Sequence, residues 1–294
     1  MPERAAQKAV ILVACAGTRL FPTTKSQPKE MLPVGRKPVV QYVVEEMQAA
    51  GLSKILLVTG RQKTAIEDHF DSDPAMAERW RSLEDVSPDD MAVIDGWPNV
   101  YYTRQREPTG SAEAVACARD FVGDEQFVVA FGDTIISTPD LVTRMISTHR
   151  SREAAATVAV EAIAPEDAYK YGIVEGDGLS EAEFQLTGIV EKPEAGRAPS
   201  NLAVAARYVF GPGIFDAIGL TRRGRGGERW LTDSIAIMIR QPSPVWAVRL
   251  EPSEKRFDIG NFESYFKAFI EFALNDPHYG ASVRQATMRL LERF

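Results

Sequence analysis

The sequence is poor in the residues from which disulfide scaffolds, metal clusters and membrane spans are built. It has two cysteines, Cys15 and Cys117, with no CxxC pair, and three scattered histidines. These counts exclude a disulfide scaffold and a Cys/His zinc site. The longest strongly apolar run, residues 10–16, is far shorter than the roughly 20 residues that cross a bilayer.

Basic residues are also in deficit, and this excludes another class of protein. The 34 Lys and Arg stand against 41 Asp and Glu, a net charge of −7. A sequence-independent nucleic-acid binder needs a basic face to neutralise phosphates, so we expect no nucleic-acid partner. Residues 1–8 are of mixed polarity and lead directly into a strand-like run, so no signal peptide is visible. We therefore expect a cytoplasmic protein without a membrane partner.

What the sequence does contain is an alternation of strand and helix patterns. Residues 10–14 are a continuous apolar run typical of a buried strand, and residues 55–59 are another. Between them, residues 37–50 place their apolar side chains on one helical face, and Gly51 follows where a helix usually ends. The order strand, helix, strand indicates a parallel crossover connection.

The same patterns continue through the rest of the chain. Residues 67–99 interrupt them and are rich in Asp, Glu, Trp and Pro, which is typical of a partly helical insertion. Ser111 and Thr138 stand where N-caps of the next two helices are expected. Further strands are predicted at 100–103, 127–131, 157–162, 171–175, 187–191, 202–210 and 245–250, and further helices at 111–120, from 139, near 213–220 and near 232–240.

These elements predict an α/β fold with a Rossmann-like, doubly wound mixed sheet over residues 1–260. Residues 261–294 are predicted to form C-terminal helices, the first capped by Asn261. Their apolar face could pack against the body of the chain or against a second subunit, and the sequence does not choose between the two.

Ligands of open α/β sheets bind at the carboxyl ends of the strands, so we expect the functional side chains to lie there. The first predicted strand runs into Ala14-Cys15-Ala16-Gly17, whose small side chains let backbone N–H groups approach a phosphate or a base. Arg19 and Lys29 follow, and both are long enough to converge on a polyphosphate. The alternative is a tight turn with solvated basic residues.

Two aspartates are candidate ligands for Mg²⁺. Asp133 follows the strand at 127–131, and Asp258 comes late in the chain, before Ile259-Gly260. Two carboxylates together with phosphate oxygens would suit octahedral Mg²⁺. The alternative for Asp133 is that it caps the following helix.

Two further pairs suit a sugar phosphate and a base. Glu191-Lys192 ends a predicted strand and offers an acceptor for hydroxyls beside a cation for a phosphate, although a surface ion pair would look the same. Gln105 offers a side-chain amide to the edge of a base, and Gly110 leaves room for the base to enter.

Taken in order, these segments resemble the sugar-1-phosphate nucleotidylyltransferases, and most narrowly the bacterial-type UTP–glucose-1-phosphate uridylyltransferases. The resemblance spans about residues 8–275. The segments that carry it are Gly17-Thr18-Arg19, PKEMLP at 28–33, IEDHF at 66–70, VEKP at 190–193, SNLAV at 200–204, LTD at 231–233 and DIG at 258–260.

The resemblance implies a role for each candidate residue. The loop that contains Ala14, Cys15, Ala16 and Gly17 would hold the nucleotide, with Gln105 and Gly110 at the uracil. Arg19 and Lys29 would be catalytic and would stabilise charge on the α-phosphate and on the departing pyrophosphate. Asp133 and Asp258 would hold Mg²⁺, while Gly172, Glu191 and Asn201 would line the sugar pocket, with Lys192 on the sugar phosphate.

Two positions depart from the family pattern. Cys15 stands where the family usually has glycine, two residues before Gly17. A cysteine is tolerated there if its φ is negative, but it could also narrow the nucleotide pocket, weaken UTP binding or make activity sensitive to thiol oxidation. Arg36 replaces an aspartate before Lys37-Pro38, and we expect little effect from it.

The implied reaction is Mg²⁺-dependent transfer of a uridylyl group from UTP to glucose 1-phosphate, by a homo-oligomer (dimer or tetramer). The attacking phosphate is already ionised, so the reaction needs no general base. One alternative keeps this chemistry with dTTP or with another sugar or cyclitol phosphate. A second is a non-catalytic, nucleotide-binding regulatory homologue, which Cys15 motivates. A dinucleotide-dependent oxidoreductase fits poorly because the first loop lacks GxGxxG.

Overall fold

The computed structural model describes residues 6–82, 97 and 99–293. The strands of this part of the chain are β1 (Lys8–Leu12), β2 (Pro33–Val34), β3 (Lys37–Pro38), β4 (Lys54–Thr59), β5 (Val100–Arg104), β6 (Phe127–Phe131), β7 (Thr134–Ile136), β8 (Ala156–Ala162), β9 (Gly172–Asp177), β10 (Glu183–Glu191), β11 (Leu202–Phe210), β12 (Val245–Arg249) and β13 (Arg256–Asp258). The α-helices are α1 (Val39–Ala49), α2 (Thr64–Phe70), α3 (Pro74–Arg81), α4 (Ser111–Ala116), α5 (Arg119–Val122), α6 (Asp140–Ser151), α7 (Ile214–Leu220), α8 (Leu231–Ile239), α9 (Phe262–Asn275) and α10 (Gly280–Leu291).

One mixed sheet organises the molecule, with the strand order β5-β4-β1-β6-β11-β8-β12-β10-β9. Strands β5, β4, β1 and β6 run parallel, and β11 is antiparallel to both β6 and β8. The chain builds outward from β1 to β4 and β5 and then returns to place β6 on the other side of β1. The loops after β1 and β6 therefore separate at this switch point, which is where open α/β sheets bind ligands. The predicted doubly wound, mixed α/β sheet is confirmed.

Helices cover both faces of the sheet. On one face, α1 and α6 bury Val43, Met47 and Met145, and on the other face α4, α7 and α8 bury Val115 and Ile235. All of these side chains are excluded from solvent. The apolar face predicted for residues 37–50 is confirmed, and the burial of such side chains supplies the main favourable free energy of folding, about 1.5–3 kcal/mol for each large apolar side chain.

The helix starts agree with the predictions to within two residues, whereas the strand predicted at 187–191 begins four residues earlier, at Glu183. The helix predicted from residue 37 begins at Val39, because residues 37 and 38 pair with residues 33 and 34 in a two-stranded ribbon. The side chains of Ser111 and Thr138, predicted as N-caps, do not cap their helices. The hydroxyl of Ser111 accepts a hydrogen bond from the Leu231 N–H, and that of Thr138 donates to Glu254 over 2.7 Å. Much of the predicted insertion, residues 83–96 and 98, lies outside the described residues.

The first C-terminal helix, α9, packs one side against the body of the chain. Asn261 caps it as predicted, since its Oδ1 accepts from the N–H of Ser264 over 3.0 Å. The ring of Phe272 lies 5.2 Å from those of Tyr42 and Phe257. The substituted residue Arg36 contributes here, since its Nε lies 3.2 Å from Asp276, which follows α9. The domain boundary at residue 260 stays a prediction.

The opposite side of α9 presents apolar side chains to solvent. Phe266, Phe269 and Ile270 are exposed, as are Met288 and Leu291 of α10. Packing against the body of the chain, one of the two alternatives left open by the sequence, therefore holds for one side of the helix, and packing of the exposed side against a second subunit stays a prediction. No helix in the described part of the chain is long and apolar enough to cross a membrane. The cytoplasmic location stays a prediction.

One buried histidine makes the stability of the fold depend on pH. His149 is 1% exposed near the end of α6, with Nδ1 3.1 Å from the hydroxyl of Thr157. Burial lowers its pKa from 6.5 to about 4. Between these values the unfolded chain binds the proton and the folded chain does not. Stability is therefore lost as the pH falls from about 6.5 to 4, by as much as about 3 kcal/mol.

We expect His149→Asn, which keeps a partner for Thr157, to remove this contribution. Urea unfolding at a series of pH values should show that the free energy of unfolding falls less steeply for the variant than for the wild type over that pH range. Parallel curves for the two proteins would contradict the assignment to His149.

Candidate active site

The loop after β1 forms one wall of the switch point. It runs from Ala14 through exposed Cys15 and Ala16 to Gly17, which has a φ of +66° and begins a series of short 3₁₀ turns. The third turn carries Lys29, whose side chain lies under the loop and whose ammonium forms an ion pair with Asp133, just after β6. Two residues that are 104 positions apart in the sequence are thus in direct contact, and their predicted roles stay predictions.

The charges of Lys29 and Asp133 stabilise one another. Burial lowers the pKa of Lys29, but Asp133 outweighs it, with smaller effects from Cys15 and Glu30, so the pKa stands well above its usual value. Burial likewise raises the pKa of Asp133, but Lys29 and Arg19 together with a backbone hydrogen bond bring it below its usual value. Both groups are therefore charged at neutral pH although little water reaches them.

A second buried pair holds the turn that carries Lys29. Glu30 is 1% exposed, and its carboxylate lies 2.7 Å from the ammonium of Lys63, just before α2. Removing one partner of such a pair lowers the stability of the fold by about 3–5 kcal/mol, because the other partner is left as a buried, unpaired charge. The sequence analysis did not identify Lys63, which lies in a polar loop with no repeating pattern.

A short antiparallel ribbon, β7 with β13, brings Asp258 to Asp133. Thr134 stands opposite Asp258 in its register, and the N–H of Ile259 donates to the carbonyl of Asp133 over 2.9 Å. A Cβ on Gly260 would lie 2.8 Å from the Asp258 carboxylate and 2.9 Å from Nη2 of Arg19. The side chains of Arg19 and Asp258 therefore both lie close to Gly260, near the ion pair of Lys29 and Asp133.

The two aspartates fit a divalent cation. Burial raises the pKa of Asp258 and the nearby Asp133 raises it further, against the opposing effects of Arg256, Lys29 and Arg19. A cation between the carboxylates would relieve this repulsion, and hard oxygen donors suit Mg²⁺. In the described part of the chain, no cluster holds three or more His, Cys, Asp or Glu residues suited to a metal. With two carboxylates as ligands, the other coordination positions of the cation would be left to water and phosphate oxygens, which is typical of Mg²⁺ sites.

The two residues expected at the base are in contact with each other. Gln105, just after β5, is 7% exposed and donates from Nε2 to the carbonyl of Gly110 over 3.0 Å. Gly110 has a φ of +116°, and a Cβ there would lie 2.2 Å from the carbonyl oxygen of Arg229. Only glycine fits this position. The main-chain N–H of Gln105 donates to Thr59, so the strand ends hold both residues at the edge of the sheet.

The predicted sugar end gathers around the paired ends of β9 and β10. Gly172 stands opposite Glu191 in the register of these strands. The Glu191 carboxylate accepts a hydrogen bond from the hydroxyl of Thr232 over 2.7 Å. The ammonium of Lys192 lies 3.5 Å from Glu191 and 5.1 Å from the ring centre of Trp230. Trp230 was not singled out in the sequence, although it directly precedes the LTD segment.

Asn201 is exposed and immediately precedes β11. The hydroxyl of its neighbour Ser200 donates to the carbonyl of Val174 in β9 over 2.6 Å. Residue 203 of β11 also pairs with residue 173 of β9. Asn201 therefore lies beside the strand that Gly172 begins, and its role at the sugar stays a prediction.

Arg256 joins the sugar end to the carboxylates, and the sequence analysis missed it. Its guanidinium lies 4.4 Å from the ring centre of Tyr171 and 3.9 Å from Asp258, and it forms an ion pair with Glu161. Residues two apart in a strand share a face, but a three-residue strand has no periodicity by which the sequence could show this relation. Arg256 and Asp258 stand in that relation in β13.

The backbone conformation at Cys15 is one that residues other than glycine adopt without strain. In the described part of the chain, positive φ values outside glycine occur at residues 62, 99, 153, 192 and 206, so Cys15 is not among them. The thiol of Cys15 is free and exposed to solvent. Its effect on the width of the nucleotide pocket stays a prediction.

Comparison with known proteins agrees with this geometry. The family model described as nucleotidyl transferase matches residues 8–274. UTP–glucose-1-phosphate uridylyltransferase of Bacillus subtilis (strain 168) is 38% identical over 274 residues, which cover 92% of each chain. Among solved structures, a UTP-bound UGPase from Acinetobacter baumannii aligns with a TM-score of 0.86 and 34% identity over 97% of this chain and 99% of that one. A UDP-glucose pyrophosphorylase complexed with UDP-glucose aligns with a TM-score of 0.80 and 32% identity over 91% and 98%.

The family model spans most of the chain, and the relative from Bacillus subtilis exceeds 30% identity over nine-tenths of it. The shared region includes the loop after β1, the ribbon of β7 and β13, and the paired ends of β9 and β10. The resemblance predicted from the sequence is confirmed, and the chain belongs to the nucleotidyl transferase family.

Proposed function

We propose that this chain transfers a uridylyl group from UTP to glucose 1-phosphate with Mg²⁺, giving UDP-glucose and pyrophosphate. The observation that carries the proposal is the buried ion pair of Lys29 and Asp133 at the switch point, flanked by Arg19 and Asp258. Two cations and two carboxylates gathered at one sheet edge suit a metal-bound triphosphate. The names of the related proteins supply the substrate pair.

The reaction needs positioning and charge neutralisation rather than proton transfer. An ionised phosphate oxygen of glucose 1-phosphate attacks the α-phosphorus of UTP in line, a new P–O bond forms, and the bond to the bridging oxygen breaks to release pyrophosphate. Asp133 and Asp258 would hold Mg²⁺, which would supply neutralisation of phosphate charge. Lys29 and Arg19 stabilise the negative charge that develops on the transferred and leaving phosphates.

The remaining residues orient the two substrates. Nε2 of Gln105 is held by Gly110, which leaves Oε1 to accept from an N–H of the base. The hydroxyl of Thr232 holds one carboxylate oxygen of Glu191, and the other can accept from a sugar hydroxyl. Lys192 supplies the cation for the sugar phosphate. Its position against the ring of Trp230 restricts the freedom of its long side chain.

A pyrophosphate-release assay with Mg²⁺ tests the proposal. UTP, dTTP, ATP, CTP and GTP are each combined with several sugar 1-phosphates, and UTP with glucose 1-phosphate should dominate. Lys29→Ala should lower turnover by about 100- to 1,000-fold, because the charge on the transferred phosphate loses a fixed partner. Lys25→Ala is the matched control, since Lys25 is an exposed lysine of the same loop region, and turnover should be retained.

The outcomes separate the alternatives. If another substrate pair gives the highest rate, the proposed specificity is wrong but the proposed mechanism still applies. If no substrate pair releases pyrophosphate although calorimetry shows that UTP binds, the alternative of a non-catalytic homologue is favoured. Wild-type turnover of Lys29→Ala would remove Lys29 from the mechanism.

Cys15→Gly tests whether the thiol crowds the nucleotide loop. Because Cys15 has no positive φ, glycine brings no relief of backbone strain, so any change in UTP affinity reports on the side chain. We expect UTP affinity, measured by calorimetry, to be kept or raised. Cys117→Ala, at the other exposed cysteine, should leave affinity unchanged. A clear loss of affinity in Cys15→Gly would show that the thiol helps to hold the nucleotide.

We further propose that the chain forms a homo-oligomer, a dimer or a tetramer, through the outer side of α9 and α10. The support is the set of exposed apolar side chains on these helices, since contiguous apolar patches of this kind usually mark an interaction surface. The inner side of α9 is already packed, so association would leave the fold of the subunit unchanged.

Light scattering coupled to size-exclusion chromatography tests this proposal. The double variant Phe266→Glu/Ile270→Glu should be a monomer, because two carboxylates would be buried at the interface. Lys267→Gln, on an exposed polar position of the same helix, is the control and should keep the wild-type mass. A monomeric wild type at all concentrations would contradict the proposal.

A further inference from the structure

The centre of β11 contains a buried arginine that the reaction does not touch. Arg207 is fully excluded from solvent, in a strand whose residues are all buried. Its Nε and Nη2 donate to the carboxylate of Glu46 in α1, over 3.0 and 2.6 Å. Nη2 also donates to the carbonyl of Thr134 over 2.8 Å, and Nη1 donates to that of Ala206 over 3.0 Å. One guanidinium thus joins a helix, the sheet and β7.

The strand is distorted where it presents this side chain. Ala206 has a φ of +58°, and the pairing of β11 with β8 shifts register between Val204 and Tyr208. An irregularity of this kind re-aims the side chains that follow it. Arg207 itself stays paired with β6, opposite Ala130, three residues before Asp133.

The carbonyl that Arg207 holds belongs to the ribbon that carries both candidate metal ligands. Thr134 directly follows Asp133, and it stands opposite Asp258 in the pairing of β7 with β13. The N–H of Ile259 donates to the carbonyl of Asp133, so the two aspartates are fixed to each other. Arg207 and Glu46 fix this ribbon to the sheet and to α1.

We propose that the pair of Arg207 and Glu46 is a positioning element, which holds Asp133 and Asp258 at the spacing that a divalent cation needs. This rests on the proposed function, which assigns the cation to these two aspartates. A pair of well-packed apolar residues would stabilise a core at least as well, so stability alone does not account for a buried charge pair here. The planar fork of arginine bonds a carboxylate and a carbonyl at the same time, which the single ammonium of lysine cannot do in the same geometry.

UTP binding measured by calorimetry, once in EDTA and once in excess Mg²⁺, tests the proposal. The ratio of the two Kd values is the gain in affinity that the metal provides. The double variant Arg207→Met/Glu46→Gln removes both charges at nearly constant volume, and Arg207→Lys keeps the charge but not the fork. Both should reduce the gain by about tenfold or more, which is the usual effect of losing a residue that orients a metal ligand. The Kd in EDTA should be unchanged, and kcat should fall with the gain.

Two controls separate this role from others. Phe210→Leu, a buried residue at the far end of the same strand, lowers stability without touching the ribbon and should keep the full gain. Asp133→Asn should abolish the gain, and if it does not, the metal site of the proposed function is wrong.

If Asp133→Asn abolishes the gain while Arg207→Lys and the double variant keep it together with wild-type kcat, the positioning role alone is overturned. If the double variant does not fold, Arg207→Lys decides the question by the same two measurements.

Discussion

Two carboxylates at one sheet edge, Asp133 and Asp258, repel each other, and Lys29 and Arg19 offset that repulsion. The contact of Lys29 with Asp133 matters most, because both groups have lost most of their water and each keeps the other ionised.

Further buried pairs surround that contact, and each ties an irregular segment to a regular element. Glu30 with Lys63 fastens the turn before α1 to the start of α2, and Glu161 with Arg256 fastens β13 to β8. Glu46 holds Arg207, which fastens the ribbon to the sheet by donating to the carbonyl of Thr134. The apolar core orders the sheet and its helices, but segments of two or three residues bury too little apolar surface to be ordered in that way. Directional ion pairs define their positions instead, at the cost of dehydrating each charge.

The sequence predicted what local pattern encodes. The existence and order of the strands of the main sheet and the apolar face of α1 follow from runs that can be seen within ten residues, but strand ends follow less well, since β1 (Lys8–Leu12) lies two residues before the predicted 10–14. The ribbon of β7 and β13 was missed because three-residue strands have no visible periodicity. Thr138 was assigned to a cap because its competing partner, Glu254, is 116 residues away. Arg207 looks like a polar interruption in an apolar strand, and only the fold shows what it contacts.

The segment from Arg229 to Thr232 touches both ends of the candidate site. The carbonyl of Arg229 closes against Gly110 at the base end, while the hydroxyl of Thr232 holds Glu191 at the sugar end. Four consecutive residues therefore connect the two ends of the candidate site. If these ends bind the base and the sugar as proposed, a substitution that moves this backbone at one end is expected to shift the wall of the other, so that a change in nucleobase preference would need compensation at the sugar end.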